Sequence, residues 1–245
     1  MCGDAPTKEW RHTSSRNVPD GDIRSTTILF FISAGVGMIS IAERRIRSFI
    51  AIQLPRELRS ALHELALPLQ GLSLNVKWVP ENNYHLTLKF LGDIAPGDIH
   101  SLDAQLQILA DRDSFTLSLG GWGMFPSPKR PSVLWVGLDG ELDALRQLWK
   151  DMEDRLSAGG YTRDSRWHPH ITLGRFRSPD NKVWGHISSG EMSPMDNLIT
   201  RLQQTPSYVH IGSFTASGIS LMESRLSPAG PSYHPLSTHE FKVKS

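Results

Sequence analysis

His85-Leu86-Thr87-Leu88 and His170-Ile171-Thr172-Leu173 are the two stretches that decide the fold of this 245-residue chain. Both follow the pattern histidine, aliphatic residue, threonine, leucine. Side chains two residues apart lie on one face of a β-strand, so each histidine shares a face with its threonine while the aliphatic residues enter the core. The duplication predicts two strands that each present an imidazole and a hydroxyl to a common site.

The segments around these stretches alternate between strand and helix patterns. Several predicted strands follow each other as hairpin-like neighbours, as do those on either side of the proline-rich stretch 125–131. This order favours an α+β fold with antiparallel sheets over a doubly wound parallel sheet. The predicted strands cover residues 49–52, 76–79, 84–91, 115–119, 133–138, 170–176 and 209–221, and the predicted helices cover 56–69, 99–109, 141–158 and, in two pieces, 181–204.

Composition excludes several classes of protein. Lys and Arg total 26 against 25 Asp and Glu, so no global field favours nucleic acid or a membrane surface, and any phosphate site must be local. The single cysteine, Cys2, excludes an internal disulfide and a cysteine-based zinc site. A reducing, cytoplasmic compartment fits this composition best.

The first 45 residues differ from the remainder. Residues 26–42 are largely apolar and resemble a signal sequence or a short anchor, but a spanning helix needs about 20 apolar residues. Met38 is an alternative start. We therefore expect residues 1–45 to be an N-terminal extension, disordered or dispensable, with a signal or anchor, or an ordered addition, as the alternatives. Residues 46–245 are expected to form the functional domain.

Two imidazoles on opposite sides of a phosphorus atom would suit an in-line displacement. One histidine takes a proton from the attacking water while the other, protonated, gives one to the leaving oxygen. The hydroxyls of Thr87 and Thr172 can donate hydrogen bonds to the non-bridging oxygens. The scheme needs no metal or other cofactor. A single strand histidine is more often structural, so the prediction depends on the second copy.

Five blocks of sequence resemble the 2H phosphoesterases, specifically the bacterial and archaeal RNA 2′,3′-cyclic phosphodiesterases, also described as 2′-5′ RNA ligases. The resemblance implies a bilobal, pseudo-symmetric α+β fold with one His-x-Thr strand in each lobe and the active site between the lobes. It also implies that His85 is the proton donor and His170 the proton acceptor in hydrolysis of a 2′,3′-cyclic phosphate to a 2′-phosphate. The matching blocks are residues 47–52, 78–92, 125–128, 133–137 and 168–175.

Five further residues are candidates for substrate binding. Arg175 matches a phosphate-contacting arginine of the family, but strict alternation places it opposite His170 unless a bulge at Gly174 turns it around. Phe90 is a candidate platform for a base, although its parity with Leu86 favours core packing. Phe125, Lys129 and Arg130 form an aromatic and basic loop that could follow an RNA backbone, with a solvated turn as the alternative.

The partners expected are RNA with 2′,3′-cyclic phosphate ends or small cyclic nucleotides, bound by a monomer without an obligate protein partner. Two other functions remain open. The same site could run in reverse as a 2′-5′ RNA ligase, or the fold could serve as a non-catalytic module that binds RNA ends or nucleotides. A three-histidine metal site using His168, His170 and His85 is disfavoured because no carboxylates that would orient such ligands are evident.

Overall fold

The computed structural model describes eight stretches of the chain, which belong to two compact units, Met1–Arg45 and Ile46–Ser245. In the first unit, β1 (Ser25–Ile32) and β2 (Gly35–Ala42) form an antiparallel hairpin in which Ser25 pairs with Ala42. No helix among the described residues is long and apolar enough to span a membrane. That the first unit is dispensable stays a prediction. The described stretches are residues 25–32, 35–42, 44–72, 74–128, 130–177, 192–204, 210–228 and 230–244.

Where the chain is described, the second unit contains the predicted strands and helices in the predicted order, but the run predicted over 209–221 forms two strands instead of one. The first piece of the helix predicted over 181–204 lies outside the described residues, and the final strand was not predicted. The strands are β3 (Ile46–Gln53), β4 (Val76–Trp78), β5 (His85–Ile94), β6 (Phe115–Phe125), β7 (Val133–Gly140), β8 (Ile171–Phe176), β9 (His210–Ala216), β10 (Gly218–Ser227) and β11 (Gly230–Glu240). The helices are α1 (Arg56–Gln70), α2 (Asp98–Leu109), α3 (Leu142–Ala158) and α4 (Pro194–Gln204), with a 3-10 turn, η1, at Glu81–Asn83.

The strands of this unit form two antiparallel sheets. One has four strands in the order β11-β10-β3-β5, and the other has five in the order β4-β8-β7-β6-β9. Each sheet contains one His-x-Thr segment, at the start of β5 and immediately before and within β8. Two antiparallel sheets with flanking helices confirm the predicted α+β class.

The two sheets and the helices share one hydrophobic core. Leu86 of β5 and Ile171 of β8 are both fully buried in it, as the alternation of each His-x-Thr segment predicts. Burial of such a side chain stabilises the fold by about 1.5–3 kcal/mol. The helices bury one face each, through the leucines that recur at helical spacing, among them Leu62, Leu106 and Leu148. The core therefore holds the backbone of both His-x-Thr segments from behind.

Both His-x-Thr strands contain a bulge directly after the threonine. On β5, Thr87 pairs with Ala51 and Lys89 with Ile50, so Leu88 is an extra residue without a partner on β3. On β8, Thr172 and Gly174 pair with consecutive residues of β7, so Leu173 is the extra residue there. A bulge reverses the alternation that follows it. Residues five positions beyond each histidine are thus turned to the histidine's face.

Candidate active site

His85 stands at the first position of β5, directly after the turn η1. Its Nδ1 lies 2.7 Å from the carbonyl oxygen of Asn83, and its Nε2 lies 2.9 Å from Oγ1 of Thr87. Since a carbonyl can only accept a hydrogen bond, Nδ1 carries the proton and Nε2 of the neutral ring is the unprotonated, basic nitrogen. In that state the hydroxyl of Thr87 donates to Nε2.

His170 has the same backbone support at the start of β8. Its Nδ1 lies 2.7 Å from the carbonyl oxygen of His168, again two residues earlier in the chain. The same reasoning places the proton on Nδ1 and leaves Nε2 available. Thr172, two residues further on, is half-buried. In both halves of the site, a hydrogen bond from Nδ1 to the carbonyl two residues earlier thus fixes the same tautomer of the imidazole.

The two bulges decide the positions of Arg175 and Phe90. A bulge of the kind that would turn Arg175 to the face of His170 is present, at Leu173, and Arg175 is exposed. The expectation that Phe90 packs in the core is wrong, because its side chain is 62% exposed. Its ring centroid lies 6.2 Å from that of Phe49, which itself contacts His85. The physical reason is the bulge at Leu88, which reverses the alternation so that Phe90 leaves the core.

Aromatic rings surround both histidines. The ring of His85 contacts Phe49, at a centroid distance of 4.8 Å, and Tyr233, at 5.1 Å, and these two rings also contact each other, at 4.9 Å. His170 makes an edge contact with Phe125, at 5.1 Å, and lies 6.2 Å from Trp135. The structure therefore brings the predicted residue Phe125 to the site.

Three of these rings, Phe49, Tyr233 and Trp135, were not predicted to belong to the site. Trp135 is half-buried on β7, and its ring lies close to those of both His170 and Phe125. Tyr233 lies on β11, whose prolines conceal a strand pattern, so no local signal marked it. Its role could have been suspected only from the sheet order.

Burial and neighbouring cations lower the pKa of both imidazoles. Burial is the main cause at His85, where the charges of Arg175 and His170 act in the same direction and the hydrogen bond to Asn83 opposes them, leaving the pKa at about 4. At His170, burial again lowers the pKa most, with Arg175 and His168 adding to it. The guanidinium of Arg175 therefore acts on both histidines. Without substrate both rings are neutral at neutral pH.

The remaining candidates are Arg130 and Lys129. Arg130 is exposed in the turn after Phe125, and its backbone N–H donates to the carbonyl of Ser127, at 3.1 Å. The predicted residue Lys129 lies outside the described residues. Within the part of the chain that is described, no three histidine, cysteine or acidic side chains cluster as metal ligands would.

Comparison with known proteins places this arrangement in a family. Residues 52–135 match the model of the LigT-like phosphoesterases. The RNA 2′,3′-cyclic phosphodiesterase of Methanothermobacter thermautotrophicus is 30% identical over 190 residues, which cover 77% of this chain and 95% of that protein. Its counterpart in Thermotoga maritima is 29% identical over 197 residues, covering 80% and 96% respectively.

Solved structures share the fold. A crystal structure of a Thermus thermophilus protein superposes with a TM-score of 0.61 at 26% identity, covering 82% of this chain and 100% of that one. Escherichia coli LigT in complex with 3′-AMP superposes with a TM-score of 0.61 at 23% identity, covering 81% and 99%. With two His-x-Thr strands, two antiparallel sheets and relatives matched over nearly their whole length, the chain belongs to the LigT-like phosphoesterase family within the 2H phosphoesterases.

Proposed function

We propose that the protein hydrolyses the 2′,3′-cyclic phosphate of RNA ends or nucleotides to a 2′-phosphate, with His85 and His170 as the acid–base pair. The single observation that carries this proposal is the matched support of the two imidazoles, each held by Nδ1 on a backbone carbonyl so that Nε2 is available. The relatives named as RNA 2′,3′-cyclic phosphodiesterases support the substrate class.

In the proposed reaction, Nε2 of His170 removes a proton from water as its oxygen attacks phosphorus. The bond from phosphorus to the ribose 3′ oxygen breaks, and protonated His85 gives its proton to that oxygen. The products are a 2′-phosphate and a 3′-hydroxyl. Thr87 and Thr172 donate hydrogen bonds to the non-bridging oxygens, where charge is concentrated in the transition state.

The lowered pKa values fit this proposal once substrate is bound. A phosphodiester carries a negative charge, and an opposite charge nearby favours the imidazolium, so binding raises the pKa of both rings. A histidine that is neutral before binding can then hold a proton for the leaving group. Arg175, whose charge disfavours the imidazolium, is neutralised by the same anion. The scheme requires no metal ion.

The test is turnover of a nucleoside 2′,3′-cyclic phosphate with identification of the product. We expect a 2′-phosphate, formed at an unchanged rate in the presence of a metal chelator. A chelator-sensitive wild type would contradict the metal-independent mechanism. Saturable binding without turnover would instead support a non-catalytic module, and formation of a 2′-5′ linkage from a 5′-hydroxyl would support the ligase alternative.

A further inference from the structure

Lys89 is a buried lysine on the strand that carries His85. The bulge at Leu88 turns its side chain away from the site and into the interior, where it is 3% exposed. Its Nζ lies 2.8 Å from Oε1 of Glu153 on α3, 2.8 Å from the carbonyl oxygen of Thr162 and 3.2 Å from Oδ2 of Asp164. These acceptors match the three donors of an ammonium group.

All three acceptors belong to α3 or to the segment that leads to His170. We call residues 159–170 the His170 loop, since they connect α3 to β8 and end at that histidine. Glu153, which is 1% exposed, also accepts a hydrogen bond from the backbone N–H of Asp164 through its second oxygen, at 2.9 Å. Glu153 therefore binds β5 with one oxygen and the His170 loop with the other.

Trp167 makes a second link, three residues before His170. Its indole Nε1 donates a hydrogen bond to the backbone carbonyl of Thr87, at 3.1 Å. Its ring stacks on Trp149 of α3 with a centroid distance of 5.4 Å and an interplanar angle of 4°. The loop is thus tied to β5 on both sides of the bulge, and Asp164 and Trp167 tie it to Glu153 and Trp149 of α3.

We propose that Lys89, Glu153 and Trp167 are positioning residues that fix His170 relative to His85 through the His170 loop. This inference rests on the proposed function, because it concerns the alignment of the acid–base pair. A buried ion pair adds little net stability compared with apolar side chains of the same volume. What it supplies here is a single geometry for a loop that has no regular secondary structure of its own.

The alignment matters because proton transfer and in-line attack tolerate little displacement. A shift of about 1 Å at a catalytic group can cost on the order of 10²-fold in rate. His85 and His170 lie in different sheets, so the hydrogen bonds within each sheet do not by themselves fix their separation. The contacts of Lys89, Glu153 and Trp167 join β5 to the His170 loop and so fix the separation of the two histidines.

The sharpest test is Glu153→Gln. A glutamine can still accept from Lys89 through its oxygen, but its NH₂ group faces the N–H of Asp164 and cannot accept from it. We expect kcat to fall about tenfold to 10²-fold while KM changes less than about twofold. The same substitution in a His170→Ala background should cause little further loss, because the misplaced group is already absent.

The matched control is Asp154→Asn. Asp154 is the neighbour of Glu153 on α3 and binds Arg163 of the same loop, but that ion pair is about half exposed on both sides. We expect its kcat to be that of the wild type. Equal kcat in Glu153→Gln and the wild type would overturn the inference, as would an equal loss with and without His170.

A second variant covers the case in which Glu153→Gln fails to fold. Trp167→Phe keeps a ring against Trp149 but removes the donor to Thr87, and we expect the same fall in kcat with a small change in KM.

The pKa of His170 can also be measured by ring nitrogen NMR, which does not require turnover. We expect the pKa of His170 to rise towards its usual value in the variants, as the loosened loop admits water. An inactive wild type would refute the proposed function, whereas an unmoved His170 titration would refute this inference.

Discussion

The strands β5 and β8 are alike up to the bulge and different immediately after it. Each offers an imidazole held on a backbone carbonyl, then a threonine, then an extra leucine. The next position is Lys89 on β5 and Gly174 on β8, and the one after that is Phe90 on β5 and Arg175 on β8. The shared part supplies two equivalent titrating groups. The differing part gives one half an aromatic surface and the other a positive charge.

The two strands also differ in how they are held from behind. Lys89 fixes β5 through a buried ion pair, whereas Gly174 lets β8 approach its neighbours closely. A Cβ at Gly174 would lie 2.6 Å from Cγ1 of Val76 and 3.2 Å from the ring of Trp78. Next to the same backbone irregularity, one half thus has a buried ion pair and the other a glycine that leaves room for Val76 and Trp78.

The largest effect is expected from removing either histidine. Each of His85→Ala and His170→Ala should lower kcat by about 10²–10⁴-fold, since general acid–base catalysis contributes that much. Under the proposed roles one variant lacks the acid and the other the base, so the two should differ in their pH profiles. The measurement is kcat against pH on a nucleoside 2′,3′-cyclic phosphate. If both variants lose the same limb of the pH profile, the two histidines do not act as separate acid and base.

Arg175→Gln should have the next largest effect. If Arg175 donates to the phosphate, loss of this charged hydrogen-bond donor costs about 1.5–3 kcal/mol, which should appear mainly as a higher KM. Because the cation of Arg175 lowers the pKa of both histidines, its removal should raise both, and both limbs of the kcat/KM profile should move to higher pH. Arg146→Gln, an equal change of charge on the exposed face of α3, should leave the profile unchanged.

Gly174→Ala tests the close approach behind β8. The added methyl group must displace Val76 or Trp78, and overpacking of this kind costs about 1–3 kcal/mol in the free energy of unfolding. Urea unfolding measures that loss. Gly97→Ala is the control, because a Cβ at Gly97 meets nothing within 4 Å. Equal stability of the two variants would show that β8 does not depend on a small residue there.

The smallest effect is expected from Phe90→Leu. The side chain is 62% exposed, so the free energy of unfolding should hardly change. If the ring stacks on a base, its loss should weaken binding of a nucleotide by about 1 kcal/mol and leave a cyclic phosphate without a base unaffected. Ile108→Ala, on the exposed side of α2, serves as the comparison. An equal loss on both substrates would argue against stacking.

Local patterns predicted most of the fold because they depend on short-range chemistry. The leucines of α1 and α3 mark one buried face each, and the alternation in β6 and β7 marks neighbouring strands. β11 was not predicted because Pro231 and Pro235 lack the N–H that a central strand needs. Both prolines are tolerated because β11 lies at the edge of its sheet.

The His-x-Thr residues of the site could be predicted, whereas their surroundings depended on long-range pairing. A bulge arises from the register of two strands, so the sequence of β5 alone cannot show that Phe90 leaves the core or that Lys89 enters it. The partners of Lys89 lie 64 to 75 positions away in the chain. Glycine at position 174 did hint at the bulge in β8, because its type is unusual in a strand interior.

Trp167 also protects an exposed edge. β5 is the last strand of its four-stranded sheet, and an edge strand with free carbonyl groups invites pairing with a strand of another molecule. By donating its indole N–H to the carbonyl of Thr87, Trp167 occupies one of those acceptors and lays a bulky ring beside the edge. The loop that carries His170 therefore also acts against self-association, and a protein in which it opens should aggregate more readily on storage.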